Sequence, residues 1–214
     1  MAQPYFQEMS ALKWHEGKSF LANPKLFRAD AALYFPNLRG RTLDGNKKAD
    51  TTKALKGRVS VVSMFSSQWA EAQKNTFVSE RENPQLHEIL KTGGQKVEIN
   101  IETNPARATI LWLFEWNLRR QIPKTEHDRY FILQKGLTNE IRHRIGLLNS
   151  KVGYVYLLDE ECRIRWAASG RAEGDERDYL NRGLSKLVEE AGTRPKRSQI
   201  DAAGNAVFEA ESRP

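Results

Sequence analysis

Few residues in this 214-residue sequence have a type and spacing that could do covalent chemistry. Cys162 is the single cysteine, which excludes an internal disulfide and a two-cysteine redox centre and fits a reducing compartment. Its neighbours Asp159, Glu160 and Glu161 would raise a thiol pKa rather than lower it. A thiol-dependent enzyme using Cys162 therefore stands only as an alternative. The histidines His15, His87, His127 and His143 lack metal-ligand spacing, so neither a metal site nor a catalytic histidine is expected, and no cofactor is called for. What remains is recognition chemistry. Phe65 and Trp69 form one aromatic pair; Trp112 and Trp116, one helical turn apart and followed by Arg119 and Arg120, form a second group. Aromatic plus arginine is the composition of protein-interface anchors and of helices at a membrane surface.

These residues need a scaffold, and the composition supplies one. Hydrophobic residues make up 39% and charged residues 29% of the chain, with a mean hydropathy of −0.65. That is enough for a core, with some length left as unpacked tail. The longest uncharged run, 59–70, and the most apolar stretch, 108–114, fall well short of the roughly 20 residues that span a bilayer. Three parts are expected: an arm at 1–33, a folded domain at 34–190 and a disordered tail at 191–214. The arm carries Tyr5, Phe6, Trp14, Phe20 and Phe27, too many aromatics for a solvated tail, so it should lie on its own core or on a partner. Glu8 and Glu16 interrupt it where targeting peptides avoid acids.

Within the domain the pattern alternates. Val59-Ser-Val-Val-Ser-Met-Phe65 predicts a buried strand, followed by a helix over 69–79 that Ser66 or Ser67 can cap. Val97-Glu-Ile-Asn-Ile101 predicts a second strand. Pro105 opens a helix running to about 121, with Leu111, Phe114, Leu118 and Ile122 on one face. A short strand over 129–133 and a short helix over 138–145 follow. Strands over 152–158 and 163–167 are joined by the loop 159–162, and a helix over 173–190 closes the domain with Tyr179, Leu180, Leu184, Leu187 and Val188 on one face.

The order β-α-β-α, then β-hairpin, then α resembles the thioredoxin fold. The lead-in Tyr34-Phe-Pro-Asn-Leu-Arg-Gly-Arg-Thr-Leu43 points to its peroxiredoxin-like branch, where a small hairpin precedes the first core strand. Redox members of that fold place two cysteines at the start of the helix after this strand, where the helix N-terminus makes the thiolate reactive. Here Phe65-Ser-Ser-Gln-Trp69 keeps the frame, but the cysteine positions fall on Ala70 and Gln73. Neither side chain is a nucleophile, so disulfide exchange at this helix is lost.

Several segments together resemble one family, the mitochondrial F-type ATP synthase assembly factor that chaperones the membrane subunit a (subunit 6). They are Ala32-Leu-Tyr-Phe-Pro-Asn-Leu-Arg-Gly40, Val61-Val-Ser-Met-Phe-Ser-Ser-Gln-Trp-Ala70, Asn117-Leu-Arg-Arg120, Ile145-Gly-Leu-Leu-Asn-Ser-Lys-Val-Gly-Tyr-Val-Tyr156 and Cys162-Arg-Ile-Arg-Trp-Ala167. The resemblance covers about 17–190. It implies a non-enzymatic protein on the matrix side of the mitochondrial inner membrane that holds subunit a for joining to the c-ring. It also implies a mitochondrial presequence, and none is legible at the front. A structural subunit of a mitochondrial complex is the other alternative.

The net charge of +7 concentrates in 119–151, where eight Lys/Arg stand against three Asp/Glu, giving +5. Anionic inner-membrane lipid is the leading functional reading of that stretch. Nucleic acid is not expected, because no aromatic-basic repeat or nucleic-acid module accompanies the charge. Phe65, Trp69, Trp112, Trp116, Arg119 and Arg120 are the expected client or membrane contacts, each weighed against ordinary core packing or solvation.

Overall fold

The computed structural model describes residues 17–102 and 111–193, and for 111–114 the backbone alone. The expected helix start at Pro105, the front of the arm and the tail beyond 193 lie outside the described residues. The β-branched run forms strand β3 (Ser60–Phe65), buried at all six positions. A strand buried on both faces must be covered by helices or loops on both sides, and the rest of the chain does this. Strand β4 (Gln95–Ile101) pairs with β3 in parallel, and β6 (Tyr154–Leu158) pairs with it antiparallel. With β1 (Arg39–Thr42), β2 (Ala49–Asp50), β5 (Tyr130–Leu133) and β7 (Ile164–Ser169), they make one seven-stranded sheet in the order β2-β1-β5-β4-β3-β6-β7. The small hairpin ahead of β3 is β1–β2. The fold is α/β and thioredoxin-like.

Helix α1 (Thr51–Leu55) follows the hairpin, and Thr51 Oγ1 accepts the Leu38 amide at 2.8 Å. Helix α2 (Gln68–Val78) starts where a capping serine was expected. Ser67 is the cap, its Oγ accepting the Ala70 amide at 3.1 Å, while Ser66 Oγ donates to the Ser150 carbonyl at 2.6 Å. Helix α3 (Pro84–Thr92) has no counterpart in the sequence reading, which assigned nothing between 79 and 97. Its signals were nonetheless present: Asn83 caps it, Pro84 opens it and Gly93 ends it. Helix α4 (Leu111–Gln121) and a 3-10 turn (Lys124–Arg129) lead into β5; α5 (Asn139–Arg144) precedes β6; and α6 (Glu176–Thr193) closes the fold.

One face of the sheet packs Val62, Met64, Val97, Ile99, Phe131 and Tyr156 beneath Phe35, α1 and the region of α5. The other packs Val61, Val155, Leu157 and Trp166 beneath α2, α3 and α6, where Leu180, Leu184 and Leu187 are buried. The segment 18–35 runs along β7. Phe27 donates its amide to Arg165, Leu33 accepts from Ile164 and Phe35 donates to Cys162, which covers an otherwise open strand edge. Its near end is held by a buried ion pair, Lys18 Nζ to Glu176 Oε2 at 2.8 Å. Gly183 leaves room for Leu26 of this segment, since a Cβ there would lie 2.9 Å from Leu26 Cδ2.

Candidate binding surface at the mouth of helix α2

The chain leaves β3 at Phe65, turns through Ser66 and Ser67 and enters α2, so Ala70 is the third helical residue and Gln73 the sixth. Both face inward and are buried. The start of β6 closes over them: the Gly153 amide donates to Gln73 Oε1 at 3.1 Å. A Cβ on Gly153 would lie 2.3 Å from the Ala70 carbonyl oxygen and 3.0 Å from the Lys74 amide. The two positions that would carry a dithiol thus serve as a seam between α2 and β6. Beside the seam opens a cavity of about 370 Å³ lined by Ser66, Ser67, Arg142, Leu147, Lys151 and Tyr154 among others. Trp69, at the second helical position and two residues past Ser67 of the cavity wall, is 41% exposed.

The six expected contact residues divide. Phe65 is 3% exposed, edge-to-face with Tyr130 at 6.4 Å and with the Lys74 ammonium 4.8 Å from its ring centre, so it is core. Trp116 is 55% exposed on α4, and the Arg120 guanidinium lies 4.6 Å from its ring centre, a surface cation–π pair. Arg119 stays exposed but is tied down: its Nε donates to the Leu43 carbonyl at 2.7 Å. Trp112 lies on the backbone of α4, but its side chain is outside the described residues, as are those of Leu111 and Phe114. α4 rests through Leu118 on the small cluster of Leu43, Phe65, Ala70, Tyr130 and Ile132, with Ile122 just beyond its end on the same cluster. It is also tethered by Glu115, 2.8 Å from Arg41. Trp69 and Trp116 are thus exposed residues of the two helices, α2 and α4, that contribute Ala70 and Leu118 to this cluster.

The +5 stretch is not one patch. β5 runs through its middle and spans about 10 Å. Arg119, Arg120, Lys124 and Arg129, with Glu126 and Asp128, lie before β5 and give +2. Lys135, Arg142, Arg144 and Lys151, with Glu140, lie beyond its C-terminal end and give +3. This second group is on the side of the α2 mouth, and Arg142 and Lys151 line the mouth cavity.

Cys162 sits at the other edge, just past Leu158, which pairs with Ser60 at the start of β3. It is buried and adopts a left-handed backbone, φ +63°. Burial pushes its thiol pKa up, and the Asp159 carboxylate adds to the rise. The sequence reading named the acidic neighbours; burial is the larger cause.

One charged layer escaped the sequence reading. Lys96, Glu98 and Asn100 form the polar side of the β4 alternation, and that side lies beneath helices rather than in solvent. Lys74 Nζ meets Glu98 Oε2 at 2.7 Å with both side chains largely buried. Burial alone would raise the Glu98 pKa, but the ammonium groups of Lys74 and Lys96 outweigh it and hold the carboxyl below its ordinary value. Burial and the Glu98 charge together push the Tyr130 phenol up, against a hydrogen bond that its oxygen accepts from the Asn100 amide at 3.3 Å. Alternation predicts two faces of a strand but not what covers each.

A family model described as "ATP10 protein" matches residues 1–187. A curated relative from Eremothecium gossypii, "Mitochondrial ATPase complex subunit ATP10", is 33% identical over 165 residues, covering 77% of this chain and 60% of the relative. The protein of the same name from Saccharomyces cerevisiae is 28% identical over 185 residues, covering 80% of this chain and 66% of the relative. The chain thus spans about two thirds or less of the length of these two relatives. Among solved structures, a secreted thiol-disulfide isomerase from Corynebacterium glutamicum is similar with a TM-score of 0.48 and 14% identity, covering 79% of this chain and 93% of that one.

Proposed function

As the chain belongs to the ATP10 protein family, we propose that it is a non-enzymatic assembly factor of the mitochondrial ATP synthase. In this reading it holds the membrane subunit a (subunit 6) for joining to the c-ring, on the matrix side of the inner membrane. The observation that carries the reading is the α2 mouth. Its thiol positions are spent on a seam with Gly153, while the cavity and exposed Trp69 beside it remain available to a polypeptide. Such a site grips without exchanging disulfides. Exposed Trp116 with Arg120 on α4 supplies a second anchor. With Glu102 on the same cavity wall, Lys135, Arg142, Arg144 and Lys151 stand against Glu102 and Glu140 at the mouth edge, and these two excess positive charges favour an anionic membrane surface by about 2 kcal/mol, at about 1 kcal/mol each. No helix among the described residues is long and apolar enough to cross a membrane, which supports a peripheral contact.

The test replaces Trp69 and Trp116 together with serine in the native host and follows crosslinking to subunit a and assembly of the complex. Loss of the crosslink with the fold intact, judged by circular dichroism, is the expected result. Unchanged client stability and assembly would remove both helices from the interface. Stoichiometric co-purification with the finished complex would instead mark a structural subunit.

A further inference from the structure

Between α2 and α4, on the face of the sheet they cover, lies a cavity of about 410 Å³ that the mouth does not use. Charged groups of alternating sign cross its floor. Glu126 lies 3.7 Å from Lys96, Lys96 lies 3.6 Å from Glu98, and Glu98 lies 2.7 Å from Lys74. Glu71, one helical turn before Lys74, ends the series and lines the same cavity. Its carboxylate is half-buried, and among the described residues no cation stands within ion-pair distance of it. Among the described residues the alternation therefore stops on a carboxylate with no ion pair of its own. Of the carboxylates and Lys/Arg lining the cavity, Glu71, Glu80, Glu98 and Glu126 stand against Lys74, Lys96 and Arg129, four against three. The remaining wall includes Val78, Leu118, Ile122 and Pro123.

We propose that this cavity takes one cationic side chain, arginine or lysine, from a partner polypeptide. Glu71 supplies its carboxylate, and Val78, Leu118 and Ile122 pack on its aliphatic stem. A cation extends the alternation by one step, whereas an anion would face a surplus of carboxylates. Burial raises the Glu71 pKa, opposed by Lys74 and reinforced by Glu98, so at neutral pH its charge destabilises the folded chain. A charge held at a cost in stability, facing a cavity, is what a binding role leaves behind.

The proposal deepens the reading of the chain as a polypeptide binder, and its test avoids the client so that the two fail separately. Full-length protein labelled with 13C at glutamate carboxyls is titrated with N-acetyl-arginine methylamide and with its neutral citrulline analogue. The arginine probe should bind on the order of tenfold more tightly than the citrulline one, and should lower the apparent pKa of Glu71. Glu71→Gln should remove that preference while leaving the thermal midpoint no lower than that of the parent. Equal binding of the two probes, an unmoved Glu71 titration, or an arginine preference kept by Glu71→Gln would each overturn the assignment.

Discussion

Substituting Gly153 by alanine tests the seam that replaces the dithiol. The new Cβ would sit 2.3 Å from the Ala70 carbonyl oxygen, about 1 Å short of ordinary contact, and 3.0 Å from the Lys74 amide. Two of these atoms are helix backbone, which cannot rotate away as a side-chain tip would, so α2 and β6 must separate. Overpacking of this kind costs about 1–3 kcal/mol. Separation also stretches the hydrogen bond from the Gly153 amide to Gln73, worth about 1 kcal/mol. A total of about 2–4 kcal/mol lowers the melting temperature by about 5–15 °C for a chain of this size. The control is Gly192→Ala, near the end of α6, where an added Cβ meets nothing within 4 Å; alanine there should leave stability unchanged or raise it by up to about 1 kcal/mol. Thermal unfolding followed by circular dichroism reads both. If Gly153→Ala melts within about 2 °C of the parent, then α2 and β6 do not meet there, and the account of the closed thiol positions is wrong.

Lys74→Met should destabilise by about 1–3 kcal/mol in urea titrations because it removes the nearer of the two cations on buried Glu98, leaving Lys96 at 3.6 Å, and adding Glu98→Leu should restore most of the loss. The same pair sets an acid limb. The Glu98 pKa is depressed in the fold, so its contribution is present above the ordinary glutamate value and vanishes as pH falls through the depressed one; Glu98→Gln should flatten that limb. Arg119→Ala should cost about 1–2 kcal/mol by removing a charge-assisted hydrogen bond to Leu43, whereas Arg120→Ala should stay within about 0.5 kcal/mol, a contrast that chemical denaturation resolves. Cys162 should react with a thiol reagent at neutral pH far more slowly in the folded protein than in denaturant, and Cys162→Ser should keep cellular function; rapid labelling of the native chain would contradict its burial.

How much of this was legible in the sequence depends on how local each cause is. The β3 run, the serine cap of α2 and the α6 face follow from nearest neighbours and helical or strand period, and they stand where expected. Helix α3 was equally local: its Asn83-Pro84 start and Gly93-Gly94 end were signals left unread. The absence of thiols at 70 and 73 was plain from residue identity alone. That Gly153 fills their place was not, because Gly153 and Ala70 are 83 positions apart and a close backbone approach leaves no mark on either segment.

Residue type and period thus determined that the chain alternates strands and helices, that its redox frame carries no sulfur, and that its aromatic and basic residues are suited to recognition. Tertiary structure decided which of those residues stand at the surface. It buried Phe65, tied Arg119 to the Leu43 carbonyl, left Trp69 and Trp116 at the surface, and split a run of positive charge across two ends of β5. It also slid the polar side of β4 under two helices, where Glu98 pairs with Lys74 and, among the described residues, Glu71 has no ion pair. Exposure and charge pairing are properties of neighbours in space, and a sheet that joins its strands out of chain order chooses those neighbours only when it closes.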